Sequence, residues 1–327
     1  MLRQPWSLFP QAAPDTDMAT NPMYNEDIEM ADASLVKPNL FIVGAMKSGT
    51  SSMHAILGTH PEIFMCEPKE PCYFVDSEVL RTRWADMYDQ GYWRSEQRYL
   101  SLFKDGRGFP VVGESSTYYS KRPQVTGVAE RIHQFNAEAK ILYLMRDPVE
   151  RTISHYWHRV RKKGELRDIG AAIRADPYYT EISHYAMQLE PYLRLFGREQ
   201  VHAMTVEGFD NDMAGQIAEV FRWLGVDDSY LPSNINERKH ATVPVVEQQR
   251  LRLPHGLRER SSFRRFLKSV LPAPVQKKIR RLIYREVDRK SVGLGEVIAY
   301  LRSIQLKQTE ELEALLSREF HEWDTLY

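Results

Sequence analysis

The stretch "PNLFIVGAMKSGTSSMHAIL", Pro38 to Leu57, decides how this chain folds. "NLFIVGA" is a short apolar run closed by glycine, which suits a buried parallel strand. "SSMHAILGTH" places Met53, Ile56 and Leu57 at helical spacing and stops at Gly58. Between the two, Gly44 and Gly49 have the spacing of a phosphate-binding loop, in the strand–loop–helix setting that such a loop requires. In the triphosphate form of that loop a lysine follows the second glycine. Here Thr50 follows Gly49, and the lysine, Lys47, stands in the middle of the loop.

That displacement changes the expected ligand. Backbone N–H groups at a helix N-terminus form an anion site through unpaired donors and aligned dipoles. Gly44 and Gly49 allow close approach of the backbone, and Ser48, Thr50, Ser51 and Ser52 add hydroxyl donors. One phosphate fills such a nest. Lys47, two residues before Gly49, is expected over the bridging oxygen between a 5′-phosphate and the group it carries. No carboxylate ends an apolar strand in the manner of a magnesium ligand, since Asp147 follows Arg146, an order better suited to holding an anion.

Working outward, "FPVVGESSTYYS" supplies a second strand at Val111-Val112, and "AKILYLMRDPVERTISHYWHRVRKKGE" a third across Ile141 to Met145. Asp147-Pro148 breaks that strand and opens a helix, with proline tolerated in its first turn. "EQVHAMTVEGF" reads as a fourth strand, followed by the amphipathic "AGQIAEVFRWLGV". Strands alternating with helices predict an α/β, three-layer fold with a short central parallel sheet flanked by helices. "LKQTEELEALLSREFHEW" is periodic as a helix that packs on the core. Residues 1–36 lack periodicity and read as a flexible leader, leaving 37–327 as a single domain.

Composition sets outer limits. The 327 residues are 43% hydrophobic and 27% charged, which is ordinary for a globular chain with a sizeable core. Forty-four basic residues balance 44 acidic ones, which argues against a general nucleic-acid binder. The basic run at about 250–290 reads as solvated helix faces near an anionic ligand, with docking on an acidic carrier or membrane surface as the alternative. Cys66 and Cys72 are expected to be free thiols of a reducing compartment. No run approaches the ~20 apolar residues that span a bilayer, and no basic-then-apolar leader marks secretion. A cytoplasmic enzyme is the expectation.

"FIVGAMKSGTSSMHAIL", "HPEIFM" and "KEPCYF", taken with "KILYLMRDPVERTISHYWH", resemble the sulfotransferases that use 3′-phosphoadenosine 5′-phosphosulfate (PAPS). The likeness is greatest to the heparan-sulfate-type branch and its soluble bacterial relatives. It extends weakly through "NINERKHATVP" to the C-terminal "LEALLSREFHEW". The resemblance implies that Ser48, Gly49, Thr50, Ser51 and Ser52 hold the 5′-phosphate, with Lys47 on the bridging and sulfuryl oxygens. It implies that Arg146 and Ser154 bind the 3′-phosphate, that Arg238 and Lys239, beside Asn236, close over the nucleotide, and that Glu70 is the base. PAPS would be the sulfuryl donor and 3′-phosphoadenosine 5′-phosphate (PAP) the product, with no metal.

The acceptor is left open among a sugar hydroxyl or amine, a lipid-linked glycan, a phenol and a natural product. Its pocket is expected around Glu70 to Trp93 and around Tyr178, Tyr179, His184, Tyr185 and Tyr192. Ser115 departs from the heparan-sulfate-type pattern, which has a lysine after the glutamate of "GESS", and this weakens a polyanionic acceptor. The simpler reading of Glu70 is a surface carboxylate paired with Lys69. Two other functions stand beside sulfuryl transfer: a P-loop kinase, which needs Mg²⁺ and a triphosphate, and a non-catalytic PAP-binding module.

Overall fold

The computed structural model describes residues 36–235, 245–249 and 282–327. The leader expected over 1–36 lies outside them but for Val36, as do Asn236, Arg238, Lys239 and most of the basic run.

Five strands form one sheet in the order β2-β3-β1-β4-β5, every pair parallel. They are β1 (Leu40–Gly44), β2 (Ile63–Met65), β3 (Val111–Ser115), β4 (Lys140–Met145) and β5 (Val201–Thr205). All five residues of β1 are buried, as its unbroken apolar run requires for a central parallel strand with both faces covered. Complete burial of Leu40, Phe41, Ile42 and Val43 contributes about 1.5–3 kcal/mol for each. The chain runs from β1 to β2 and β3 on one side, then crosses to β4 and β5 on the other. The carboxyl end of β1 is therefore a topological switch point, where α/β sheets open a crevice.

The expected four strands are present, and β2 is an addition at the sheet edge. It has three residues, too few for any periodicity, and is defined by pairing with Val111, Val112 and Gly113 of β3.

Helices cover the sheet: α1 (Thr50–Leu57), α2 (Val128–Phe135), α3 (Pro148–Lys163), α4 (Tyr185–Gln200), α5 (Met213–Leu224) and α6 (Gly295–Leu316). A separate two-stranded antiparallel sheet pairs β6 (Val245–Gln249) with β7 (Tyr284–Asp288). Asp147 caps α3, accepting from Val149 N–H (2.9 Å) and Glu150 N–H (3.1 Å), with Pro148 in the first turn. Its other oxygen accepts from Leu326 N–H at 2.9 Å, so the same carboxylate ties the last residues of the chain to the helix.

The C-terminal helix ends earlier than its periodicity suggests. It ends at Leu316, and Ser317 takes a left-handed φ of 55°. Beyond it Phe320 and Trp323 stack at 4.2 Å, both fully buried, as an irregular plug.

Gly44 is fixed by space. A Cβ there would lie 2.1 Å from Ser120 Oγ and 2.7 Å from the Tyr143 ring. Ser120 cannot retreat freely, because its hydroxyl donates to Val43 O at 2.7 Å. Gly44→Ala should lose about 1–3 kcal/mol or more through overpacking, read as a lower midpoint in urea unfolding. An unchanged midpoint would mean that Ser120 and Tyr143 yield to the added methyl group without cost.

Candidate active site

The loop from β1 to α1 projects donors at the switch point. Gly49 takes φ +79° as the N-cap of α1, with no side chain capping the helix. Among the described residues, the N–H groups of Lys47, Gly49, Thr50 and Ser51 meet no acceptor, whereas Ser48 N–H is spent on Ala45 O (3.1 Å). Open donors at a helix N-terminus attract an anion. Lys47 itself has φ 75°, a conformation that costs a non-glycine residue roughly 1–3 kcal/mol and gathers at functional sites.

A cavity of about 560 Å³ opens over this loop. Its walls include Lys47, Gly49, Thr50, Ser51, Ser52, Glu70, Arg146 and Ser154, so eight of the eleven residues singled out in the sequence meet in one space. Ser48 does not reach it. That residue is fully buried beneath the loop, against Tyr185. Arg238 and Lys239 lie outside the described residues.

Arg146 leaves the end of β4, and Ser154 faces the same cavity from the second turn of α3. The Arg146 guanidinium lies 3.1 Å from Glu150, one turn along the helix. Its backbone is held by Tyr185, whose hydroxyl donates to Arg146 O at 2.7 Å. Seven apolar residues of the lining, Met53, Ile56, Leu144, Val206, Phe209, Met213 and Ile235, supply a greasy wall.

Lys47 is half-buried, and its pKa is lowered to about 8, first by burial and then by Arg161, Arg146, Arg289 and Arg151. The charges with the largest effect on it are cations, although Glu207 and Asp210 also line the cavity. The cationic cluster repels itself in the unliganded protein and stores attraction for an anion. Arg151 was not anticipated from the sequence. It is completely buried, and it reaches Met46 O of the loop (3.5 Å) while holding Tyr179 O and Ser183 on its other side. Burial lowers its pKa to about 10. Arg289, a described member of the basic run, lies 5.1 Å over the Trp157 ring and adds to the same field.

Glu70 enters from the other flank, after β2. Its N–H donates to Ser115 O at 2.9 Å, which sets the loop on the end of β3. Its carboxylate accepts from Thr117 N–H (2.8 Å) and Thr117 Oγ1 (3.2 Å). The simple pairing with Lys69 is not what forms, because Lys69 turns to donate to Ser51 Oγ at 3.1 Å. Glu70 has φ 63°, the second left-handed residue other than glycine at the cavity.

The tyrosine-rich segment is a correction. Tyr178, Tyr179, His184, Tyr185 and Tyr192 do not line the cavity. Tyr179, Tyr185 and Tyr192 are core residues whose hydroxyls brace Glu165, Arg146 O and Tyr119 O, and His184 pairs with Glu311. The Glu70 wall is instead completed by Met87, Thr117, Tyr118 and Lys121. Ser115 points away from it, at 2.8 Å from His54 Nδ1. His158, one turn beyond Ser154 on α3, also lines the cavity.

A family model described as "Sulfotransferase family" matches residues 38–230, more than half of the chain and all of the sheet. The chain belongs to the sulfotransferase family. Its relatives include the membrane-associated sulfotransferase kil1 of Dictyostelium discoideum, 31% identical over 132 residues, 40% of this chain and 25% of that protein. Heparan sulfate glucosamine 3-O-sulfotransferase 3B1 of Mus musculus is 25% identical over 199 residues, 58% of this chain and 46% of that one. The match thus spans less than half the length of these two relatives. Among solved structures, a sulfotransferase from Alicyclobacillus acidocaldarius superposes with TM-score 0.62 at 27% identity, covering 88% of this chain and 99% of the other. Among the described residues no helix is long and apolar enough to cross a membrane.

Proposed function

We propose that this protein moves a sulfuryl group from PAPS to a hydroxyl or amine acceptor. One observation carries the reading: Lys47, with Arg146 and Arg161 beside it, and a hydrogen-bonded carboxylate, Glu70, line the same cavity at the carboxyl end of the sheet. The residues fit the donor. The open N–H groups of Gly49, Thr50 and Ser51, with the hydroxyls of Thr50, Ser51 and Ser52, would hold the 5′-phosphate. Arg146 and Ser154 would hold the 3′-phosphate, where a planar guanidinium can make paired bonds. The apolar wall suits a purine ring.

PAPS supplies the sulfuryl group, already activated by its anhydride bond to phosphate. Glu70 accepts the proton of the attacking O–H or N–H as the new bond to sulfur forms. Lys47 neutralises the charge that grows on the bridging oxygen as its bond to sulfur breaks, and PAP leaves. By analogy with phosphoryl transfer, most of the work is positioning and charge stabilisation. Met87, Thr117 and Tyr118, next to Glu70, would form the acceptor wall. The 3-O-sulfotransferase relative is named for a sugar acceptor, and a sugar, phenol or natural product fits the chemistry here.

Thermal stability with PAP, with ADP, and with ATP plus Mg²⁺ tests the reading. A ligand that binds only the folded state stabilises by about 2.7 kcal/mol at a hundredfold excess over Kd. A shift with PAP, lost in Arg146→Ala, is expected. A shift mainly with ATP and Mg²⁺ would favour a kinase and sink the proposal.

A further inference from the structure

Lys69 and Glu70 are neighbours in the loop that follows β2, and their side chains part. The Glu70 carboxylate turns to Thr117, accepting from its N–H at 2.8 Å. Lys69 turns the other way, and its Nζ donates to Ser51 Oγ at 3.1 Å, in the first turn of α1. The loop between them is pinned, since Glu70 N–H donates to Ser115 O at 2.9 Å. Lys69 therefore reaches α1 from a fixed base.

The direction of that bond is set by chemistry. An ammonium group has three protons to give and no lone pair, so Ser51 Oγ is the acceptor. A serine hydroxyl has one proton and two lone pairs. With Lys69 on one lone pair, the proton turns away from Lys69, and among the described residues it meets no acceptor. Ser51 lines the cavity, and its N–H is open as well. One residue thus offers two donors to an anion. A hydroxyl that already accepts from a cation is polarised, which makes it the stronger donor. Lys69 itself is not among the residues that line the cavity.

We propose that Lys69 is a positioning residue of the donor site, which holds the Ser51 hydroxyl as an acceptor so that its proton goes to the 5′-phosphate of the donor. The assignment rests on the sulfotransferase reading above. Lys69 acts through Ser51, and no proton changes hands. The role is separable from the general pull of a cation. A charge beyond contact distance is screened by salt and persists without the Ser51 hydroxyl, whereas the relay vanishes with that hydroxyl.

Two ligands and one double-mutant cycle test the assignment. Calorimetric affinities for PAP and for adenosine 3′-phosphate, which lacks the 5′-phosphate, should be measured at physiological ionic strength on the wild type, Lys69→Met, Ser51→Ala and the double variant. Ser51→Ala is expected to weaken PAP about tenfold, the weight of a hydrogen bond to a charged group. Lys69→Met is expected to weaken PAP about threefold to tenfold in the wild-type background, and less than about twofold in Ser51→Ala. Its effect on adenosine 3′-phosphate should stay below about twofold. Lys69→Arg, which also only donates, should recover part of the PAP affinity. Equal loss for both ligands would make Lys69 a brace of the pocket and overturn the assignment. An equal Lys69→Met loss in both backgrounds, or no loss in either, would overturn it too. Should Lys69→Met fail to fold, the same comparison with Lys69→Ala decides. A wild type that does not bind PAP would overturn the donor reading and this assignment with it.

Discussion

Glu70→Gln is expected to slow sulfuryl transfer by about 10² to 10⁴-fold, the usual weight of a positioned general base, while PAP affinity stays at the wild-type value. The substitution is nearly isosteric. Thr117 N–H and Oγ1 now hold both carboxylate oxygens, and a glutamine carbonyl can keep one of those bonds. The left-handed backbone at residue 70 and the N–H bond to Ser115 O do not depend on the side-chain charge. What disappears is an oxygen able to take a proton. PAP release, followed across a panel of sugar, phenol and amine acceptors, provides the rate. A variant within a few-fold of the wild type would remove Glu70 from the role of base. A variant that also loses PAP binding would mean that the carboxylate shapes the phosphate loop.

Lys47→Met is expected to act on both binding and rate. It removes the one cation borne by the loop itself, so PAP affinity and turnover should fall together. The rate loss should be of the order of 10²–10³-fold or more, as for an electrostatic group aimed at a leaving oxygen. The pH dependence separates this from a packing defect. In the unliganded protein Lys47 titrates at about 8. Bound phosphate favours the charged lysine and raises that value, so PAP binding takes up a proton above pH 8 and weakens as pH rises. Lys47→Met should lose that decline.

Folding gives the opposite slope. The free-lysine value of 10.5 lies above the folded one, so the unfolded chain binds more protons between about 8 and 10.5. The Lys47 contribution to stability is then a penalty, full below pH 8 and relieved as pH rises through that window. Calorimetry in buffers of different ionisation heat would count the protons taken up on binding. Zero uptake at pH 8.5 in the wild type would mean that Lys47 does not meet the phosphate.

Much of the architecture could be read from residue patterns because the strands at the sheet centre are buried on both faces, so their residues are continuously apolar. The loop was legible because two glycines, a lysine and a run of hydroxyl residues stand between a strand and a helix. The edge strand at Ile63–Met65 was not, since three residues become a strand only through their partner. The helix expected to reach Trp323 stops at Leu316 because Ser317 turns left-handed and the aromatic plug needs an irregular path. At the site, Arg151 and His158 stand inside the quoted "KILYLMRDPVERTISHYWH", but nothing in their spacing tells that one braces the loop and the other reaches the cavity. Lys121 lies outside every motif quoted for the site. The tyrosines of the 178–192 segment mislead for a related reason: an aromatic ring with a hydroxyl serves a core brace as well as a ligand wall, and only the partner of the hydroxyl tells them apart.

The strand order has a consequence for how such a protein can diversify. The residues assigned to phosphates hang from β1 and β4, whereas Glu70, Thr117, Tyr118 and Lys121 hang from β2 and β3, on the opposite neighbour of the central strand. Lys69, donating to Ser51, is a tie between the two halves. Insertions and substitutions along one flank can therefore accumulate without passing through the other. A lineage could rewrite the groups it sulfates while inheriting its donor machinery whole, which lets the same scaffold be tried on new chemistry at little risk.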